Sequence, residues 1–202
     1  DMTSGAIRLV SASAGTPANA AATSPAISAR ADRIAFVSAA TNLGSQNQAG
    51  RNQVLTADLA TGHLDLVAAD ADQPAISADG RFVAFRAAAN GIQQIWVRDT
   101  ARAVTALVTQ TAAGTPGTGP SWAPAIAGDA ATIAFASDAR DLVNGNPAPG
   151  QAFIAANPLV LPEKPGYWYM PAIGGGQGWV MERWGDRAYV AGLAYDTNGR
   201  SQ

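Results

Sequence analysis

The sequence contains no cysteine, a single histidine and few charged residues. Without cysteine there are no disulfides and no thiol chemistry, and the redox state of the compartment cannot be read. The donor set also disfavours a zinc site, because zinc is held mainly by cysteine and histidine. Charged residues make up 14% of the chain and the net charge is −2. This balance is too weak for a broad electrostatic grip on nucleic acid or an anionic membrane.

Long hydrophobic runs are also missing. The longest, such as 188–194, are the length of a strand and far shorter than a membrane span. Residues 1–5 lack the basic and apolar character of a secretory leader. Apolar residues reach 48%, but many of them are alanine, so we expect a core built from small side chains.

One segment is present three times. It runs from a Pro-Ala-Ile motif to an Ala-Phe motif, and its prolines and phenylalanines are both 49 and then 50 residues apart. A period this constant indicates one supersecondary unit stacked on copies of itself. The repeated residues are Pro25, Pro74 and Pro124, and Phe36, Phe85 and Phe135.

Each copy is predicted to contain short antiparallel strands. Apolar residues alternate with a period of two before each phenylalanine, as in Val83 and Phe85, and Asp79-Gly80 is a hairpin signal. A third strand begins at each recurring glutamine, and the first two copies add a fourth strand. Four antiparallel strands per fifty residues are typical of a β-propeller blade. A β-sandwich is the alternative.

The predicted fold is therefore all-β, with a propeller segment of three blades at 1–161 and a small antiparallel β unit at 162–202. The repeats are 24–70, 73–110 and 123–157, and the third lacks its outer strand. Residues 1–12 are predicted to be the outer strand of an incomplete blade. The missing strand of the third blade is expected to come from this N-terminal strand or from a partner.

Three blades are too few to close a propeller, because closed propellers have at least about four. Two interpretations follow. Either further blades of the same protein lie outside this sequence, which we favour, or two or more copies associate through open strand edges. The last turn, Asp196 to Gly199, has no strand after it, so we also expect the β unit to be truncated.

The repeat resembles the TolB-like, WD40-like β-propeller repeats of bacteria. The family pattern is approximately Pro-x-Ile-Ser-x-Asp-Gly-Arg-x-Val-Ala-Phe, and the segment from Pro74 to Phe85 matches it at nearly every position. Ala40 to Leu43 matches the following loop, and Val97 to Asp99 matches the end of the third strand. The resemblance covers 1–157 and implies a propeller, but it implies no particular activity, because such repeats serve many functions.

The last forty residues differ in composition, because half of the aromatic side chains of the chain are concentrated there. Gly166 to Pro171 and Gly178 to Glu182 resemble a short Gly-Trp-rich β unit of secreted bacterial proteins. Three tryptophans of this unit are candidates for a platform that stacks on a sugar or peptide. Alternation along short strands predicts that at least two of them are core instead. They are Trp168, Trp179 and Trp184.

Candidates for chemistry are few. His63 follows Gly62 in a predicted turn, and no Gly-x-Ser-x-Gly elbow accompanies it, so we interpret it as a solvated turn residue. Calcium needs only oxygen ligands, but loop 44–52 offers amides, and only 138–146 and 196–200 add carboxylates. We therefore predict no cofactor, and calcium in these loops is the alternative. The recurring turn aspartates Asp58, Asp79 and Asp99 are predicted to cap backbone N–H groups.

These observations favour a non-catalytic scaffold or a binding module for protein, peptide or glycan. The resemblance implies an exported bacterial protein: secreted, periplasmic or at the cell surface. One alternative is a propeller that accompanies a hydrolase domain outside this sequence. Another is self-assembly by strand exchange. We expect the ligand face to include the segments before each Pro-Ala-Ile motif and the hairpins after each third strand.

Overall fold

The computed structural model describes residues 5–44 and 50–160, together with the backbone of strands at 166–169, 177–184 and 187–194. All secondary-structure elements in these residues are strands. The described residues contain no helix that could cross a membrane. The contacts divide the chain into two units, Asp1–Val160 and Leu161–Gln202. The all-β prediction is confirmed.

The first unit consists of three antiparallel sheets in chain order, with a small hairpin before them. The hairpin is β1 (Ala12–Ser13) and β2 (Thr16–Pro17). The first sheet is β3 (Ala22–Ile27), β4 (Arg33–Ser38), β5 (Gln53–Asp58) and β6 (Leu64–Ala69). The second is β7 (Ala71–Ile76), β8 (Phe82–Ala89), β9 (Ile92–Asp99) and β10 (Val104–Leu107). The third is β11 (Ser121–Ile126), β12 (Thr132–Ser137) and β13 (Gln151–Ala156).

Each sheet pairs its strands in chain order, so each is a meander that corresponds to one repeat. The first strand of each sheet lies closest to its neighbours, because β3 and β11 both contact β7. Sheets that stack with their first strands innermost are blades around a common axis. The described chain is therefore a partial β-propeller, and its sheets are not closed into a ring.

The proline of each repeat lies at a β-bulge in the first strand. In the first sheet the register shifts between Thr23 and Ala26, so that two residues oppose one on β4, and the other two sheets shift at the same place. Proline has no N–H to donate, and within sheets it is tolerated mainly at edges and bulges. The residues before the prolines all have φ of 51°, namely Ser24, Gln73 and Ala123.

Alternation along the second strands divides the core between neighbouring sheets. Phe85 packs against Val37 and Val54 of the first sheet, whereas Phe82 packs against Ile133 and Phe135 of the third. Phe85 and Phe135 thus each point toward the sheet that precedes their own in the chain. This face-to-face burial of apolar side chains is what stabilises the stack.

The two ends of the stack carry different connections. The turn after each third strand donates a backbone hydrogen bond to the turn between strands one and two: Leu59 N to Asp32 O (2.8 Å), Thr100 N to Arg81 O (2.9 Å) and Asn157 N to Ala131 O (2.9 Å). Both kinds of hairpin therefore share one end, which we call the hairpin end. The segments before each Pro-Ala-Ile motif lie at the other, the linker end.

This arrangement corrects the expected ligand face. The segments before Pro-Ala-Ile and the hairpins after the third strands were expected on one face. They lie at opposite ends, because consecutive antiparallel strands reverse direction and only every second connection returns to the same end.

The outer strand expected at 1–12 stays a prediction. Residues 5–11 form no strand, and the third sheet ends at β13 among the described residues. A strand is held by hydrogen bonds to a neighbour, and none of the three sheets offers β-pairing to this segment. The third sheet does lack its outer strand, as predicted.

The second unit contains β14 (Gly166–Tyr169), β15 (Gln177–Trp184) and β16 (Arg187–Ala194) in one antiparallel sheet. A small antiparallel β unit was predicted here. The turn at 196–199 and the calcium-like segment 196–200 lie outside the described residues.

The first two sheets each have a buried glutamine near the start of the third strand, but its hydrogen bonds differ between them. Gln94 donates from Nε2 to the carbonyl oxygens of Gly117 (2.8 Å) and Gly119 (3.1 Å), and it accepts from Thr109 Oγ1. Gln53 is equally buried, but neither of its side-chain polar atoms has a hydrogen-bond partner in the described residues. The linker after β10 supplies the partners of Gln94, whereas β6 and β7 are separated by one residue.

We expect opposite effects from the same substitution at these two positions. Gln53→Leu removes a buried unpaired amide and should raise the free energy of unfolding by about 1 kcal/mol. Gln94→Leu leaves the buried hydrogen-bond partners of Gln94 unpaired and should lower the free energy of unfolding by about 2 kcal/mol. Urea denaturation followed by far-UV circular dichroism measures both. Equal losses in the two variants would contradict this account.

Candidate axial site

Three equivalent turns surround the axis at the hairpin end. They join the first and second strands of each sheet, at 28–32, 77–81 and 127–131, and we call them the axial hairpins. Their fourth residues, Ala31, Gly80 and Ala130, all have positive φ, of 51°, 74° and 61°. The same backbone turn is therefore formed three times, although only the second copy has the Asp-Gly sequence that signals it.

Side-chain and backbone hydrogen bonds hold these turns. Ser77 Oγ donates to Asp79 Oδ1 (2.5 Å), which also accepts from Arg81 N (3.0 Å). In the third sheet Asp129 Oδ1 accepts from Ala131 N at 3.0 Å. Neighbouring turns also contact each other, because Ala29 N donates to Ala78 O at 3.1 Å. This hydrogen bond fixes the first two tips relative to each other.

An open cavity of about 400 Å³ lies between the three turns. Arg30, Asp79 and Asp129 occupy the same position in the three repeats and are all exposed at its wall. Arg30 has no hydrogen-bond or ion-pair partner among the described residues, and each carboxylate uses Oδ1 in its turn. One guanidinium and two carboxylates therefore face a common space with hydrogen-bonding capacity left over.

Of these three residues, only Asp79 was a candidate from the sequence. The signal was available in the repeat, because the three residues lie at one position relative to the Ala-Phe motif. Arg30 differs in charge from the two aspartates, so a search for one residue type repeated in all three copies does not find the set. Only the stacking shows that the three tips meet.

The other recurring aspartates, Asp58 and Asp99, lie after the third strands and accept hydrogen bonds from backbone N–H groups. Asp58 Oδ1 accepts from the amides of Ala60 and Thr61, both at 2.9 Å. The hydrogen bond from the Thr61 amide is the main reason that the pKa of Asp58 is lowered. These contacts are those of turn residues.

Asp99 has a more demanding environment. Burial raises the pKa of its carboxyl, but hydrogen bonds from Arg81 and from the amides of Arg102 and Ala101 outweigh this, so that the pKa is lowered overall. Arg81 donates through Nε (3.0 Å) and Nη2 (2.7 Å) in a bidentate pair. The pair joins the axial hairpin of the second sheet to its outer turn.

His63 and the loop carboxylates form no catalytic or metal-binding group in the described residues. The histidine is exposed, and its Nε2 lies 3.2 Å from Asp65 Oδ1. Asp141 accepts from the Thr118 amide at 3.0 Å, and this hydrogen bond lowers its pKa. Within the described ranges no three His, Asp or Glu side chains lie close enough to hold a metal ion.

The three tryptophans of the second unit can be placed by backbone register only. Trp168 is paired with Trp179 across β14 and β15, so these two positions share a face. Trp184 lies five positions after Trp179 and pairs with Arg187, so alternation puts it on the opposite face. A platform here would use two of the three positions, and it stays a prediction.

Comparison with known proteins gives structural similarity alone. No family model matches the chain, and no curated protein matches it. The chain is similar in structure to TolB from Acinetobacter baumannii (20% identity, TM-score 0.44) and to the β-propeller domain of the Trilobed protease from Pyrococcus furiosus (14%, 0.47). It is also similar to an oligogalacturonate lyase from Vibrio parahaemolyticus (16%, 0.44).

These alignments cover 90%, 93% and 69% of this chain. The chain spans only 43%, 57% and 37% of the respective structures. At these identities and TM-scores the similarity supports no argument about activity. The class of protein is thus defined by the sheets themselves, as a partial β-propeller.

Proposed function

We propose that this chain is a non-catalytic β-propeller module that binds a segment of another protein or a peptide at its axial hairpins. The observation that carries the proposal is the cavity between three rigid, equivalent turns, with Arg30, Asp79 and Asp129 at its wall. Loops held by a rigid scaffold are where propellers and other β folds commonly place binding residues.

The charges of the cavity define the ligand. Two carboxylates beside one guanidinium complement a peptide that carries a basic side chain next to an acidic one. Because all three groups are exposed, each contact contributes little by itself, about 0.2–1 kcal/mol. The three together are worth about tenfold in affinity.

The test is an array of immobilised dodecapeptides probed with the intact chain. We expect binding to peptides in which Lys or Arg adjoins Asp or Glu. The triple variant Arg30→Gln, Asp79→Asn and Asp129→Asn keeps the oxygen acceptors of the turns and should weaken this binding about tenfold. The control, Arg51→Gln with Asp70→Asn, removes an exposed ion pair at the linker end and should leave binding unchanged.

Two results would refute the proposal. One is no selective binding by the wild-type chain, and the other is equal loss in the axial and control variants. An exported bacterial location is part of the proposal and is supported by the resemblance of the repeat. Fractionation of the source bacterium with an antibody against the chain checks it, and a purely cytoplasmic signal would contradict it.

A further inference from the structure

Residues 10–18 follow the path that residues 108–117 take between the second and third sheets. Ala12 N donates to Val10 O (2.8 Å) as Gln110 N donates to Val108 O (3.0 Å). Ala18 N then donates to Ser11 O (2.9 Å), as Gly117 N donates to Thr109 O (3.0 Å). In the second case this path is the exit from an outer strand, β10.

Packing supports the same equivalence. Val108 leaves β10 and packs against Phe135 and Ile133 on the face of the next sheet. Val10 packs against Phe36 on the corresponding face of the first sheet. The segment before Val10 is therefore where the outer strand of a preceding sheet would end.

The sequence of this segment matches an outer strand. Ile7, Leu9 and Val10 correspond to Leu64, Leu66 and Val67 of β6. Leu64 and Leu66 pack on their own sheet, whereas Ile7 is fully exposed and Leu9 is 58% exposed. These residues have the pattern of a strand, but none of the described sheets buries Ile7 and Leu9.

The third sheet has an edge at which the outer strand of the other two sheets has no counterpart among the described residues. Its edge strand β13 corresponds to β5 and β9, which both carry an outer strand, but none is paired with it in the described residues. The face that points away from the second sheet is apolar, and Ile154 at its centre is 79% exposed. Register places Trp122, Ala136 and Ala152 on this same face.

We propose that two copies of this chain associate by reciprocal strand exchange. Residues 6–11 of each copy form the outer strand of the third sheet of the other copy. The apolar face of that sheet then packs over Phe36 and fills the gap of about 210 Å³ beside Pro25 and Ile34. Because each copy both gives and receives one strand, the exchange is complete within two copies.

The pairing register follows from the complete sheets. Leu66 pairs with Leu55, and Leu107 pairs with Trp96. The equivalent residues pair Leu9 with Phe153 of the other copy, and hence Arg8 with Ile154. Both open edges are satisfied by this exchange, which removes the tendency to pair with unrelated strands.

Light scattering on the purified full chain tests the association. We expect about 41 kDa at micromolar concentration, which is twice the 20.5 kDa of one chain. Ile154→Lys should raise the dissociation constant about 100-fold, because it buries an unpaired charge in the interface. The control is Val143→Lys, which replaces a residue that is also exposed (51%) but lies off this face.

A disulfide tests the register, since the chain has no cysteine of its own. Arg8→Cys with Ile154→Cys should give a covalent dimer on mild oxidation, because directly paired residues have Cβ atoms about 4.5–5.5 Å apart. Arg8→Cys with Val143→Cys should not. A wild-type chain that is monomeric throughout, or a dimer that Ile154→Lys leaves intact, would overturn the proposal. Peptide binding at the axial hairpins is measured separately and can succeed or fail independently.

Discussion

Replacing Arg81 by methionine is expected to lower the free energy of unfolding by about 3 kcal/mol at neutral pH. The side chain of Asp99 is only 1% exposed, and the substitution leaves its carboxylate buried without its bidentate partner. Methionine retains an apolar chain over Phe82, whose ring the guanidinium covers at 4.8 Å. The measured loss therefore reports mainly the ion pair. Urea denaturation at constant ionic strength measures it.

The control is Arg102→Met, which addresses the same carboxylate. Arg102 Nε lies 3.8 Å from Asp99 Oδ2, and its side chain is 57% exposed, so the expected loss is below about 0.5 kcal/mol. Equal losses from the two variants would show that the buried pair is unimportant.

The effect of Arg81→Met should depend on pH with a definite sign. The pKa of Asp99 is lowered in the folded wild-type chain, so its stabilising contribution is present above the unfolded pKa, about 3.9, and is lost as the pH falls through the folded value. In the variant the lowering effect of Arg81 is lost, so the pKa of Asp99 is higher than in the wild-type chain, and protonation relieves the unpaired charge. The difference between the two proteins should therefore shrink on acidification, and a difference that grows would contradict the assignment.

Gly119→Ala is expected to destabilise the first unit by about 3 kcal/mol. A Cβ at this position would lie 2.5 Å from Ala139 N and 2.6 Å from Asp138 C. Both are backbone atoms, so relief requires the linker and the end of β12 to separate. The shift would also disturb the hydrogen bond from Gln94 to the Gly119 carbonyl. Thermal unfolding followed by circular dichroism detects the loss.

Gly128→Ala is the matched control in the same sheet. The nearest atom to its added Cβ is Ala78 Cβ at 3.7 Å, which is an ordinary contact, so the change should stay within about 0.5 kcal/mol. A Gly119→Ala variant as stable as Gly128→Ala would mean that the linker is less tightly packed than described.

Much of the propeller could be predicted because its determinants are local and repeated. Alternation before Phe85 and the Asp-Gly signal at Asp79 specify a hairpin from a few neighbouring residues, and the repeat period reproduces it. The strand at 6–11 has the same local pattern, yet it is not formed. Strand formation depends on a partner edge, and a local pattern carries no information about whether an edge is available.

The candidate site was predicted less well than the fold. Asp79 was recognised as a turn residue, but its neighbours across the axis come from repeats about fifty residues away. The expected ligand face was wrong because the end at which each connection lies depends on the order in which the strands pair. Gln53 and Gln94 are likewise the same residue at the same place in the repeat. Only the length of the neighbouring linker decides whether the side-chain amide is hydrogen-bonded.

The amino-acid sequence by itself determined the all-β class, the number of repeats and the hairpin in each repeat, because these follow from side-chain alternation and turn chemistry within a few residues. The tertiary structure alone decided which hairpin tips surround the axis, which carboxylate is buried against an arginine and which edges are left open. Those features depend on contacts between distant segments, and packing of the sheets is what brings such segments together.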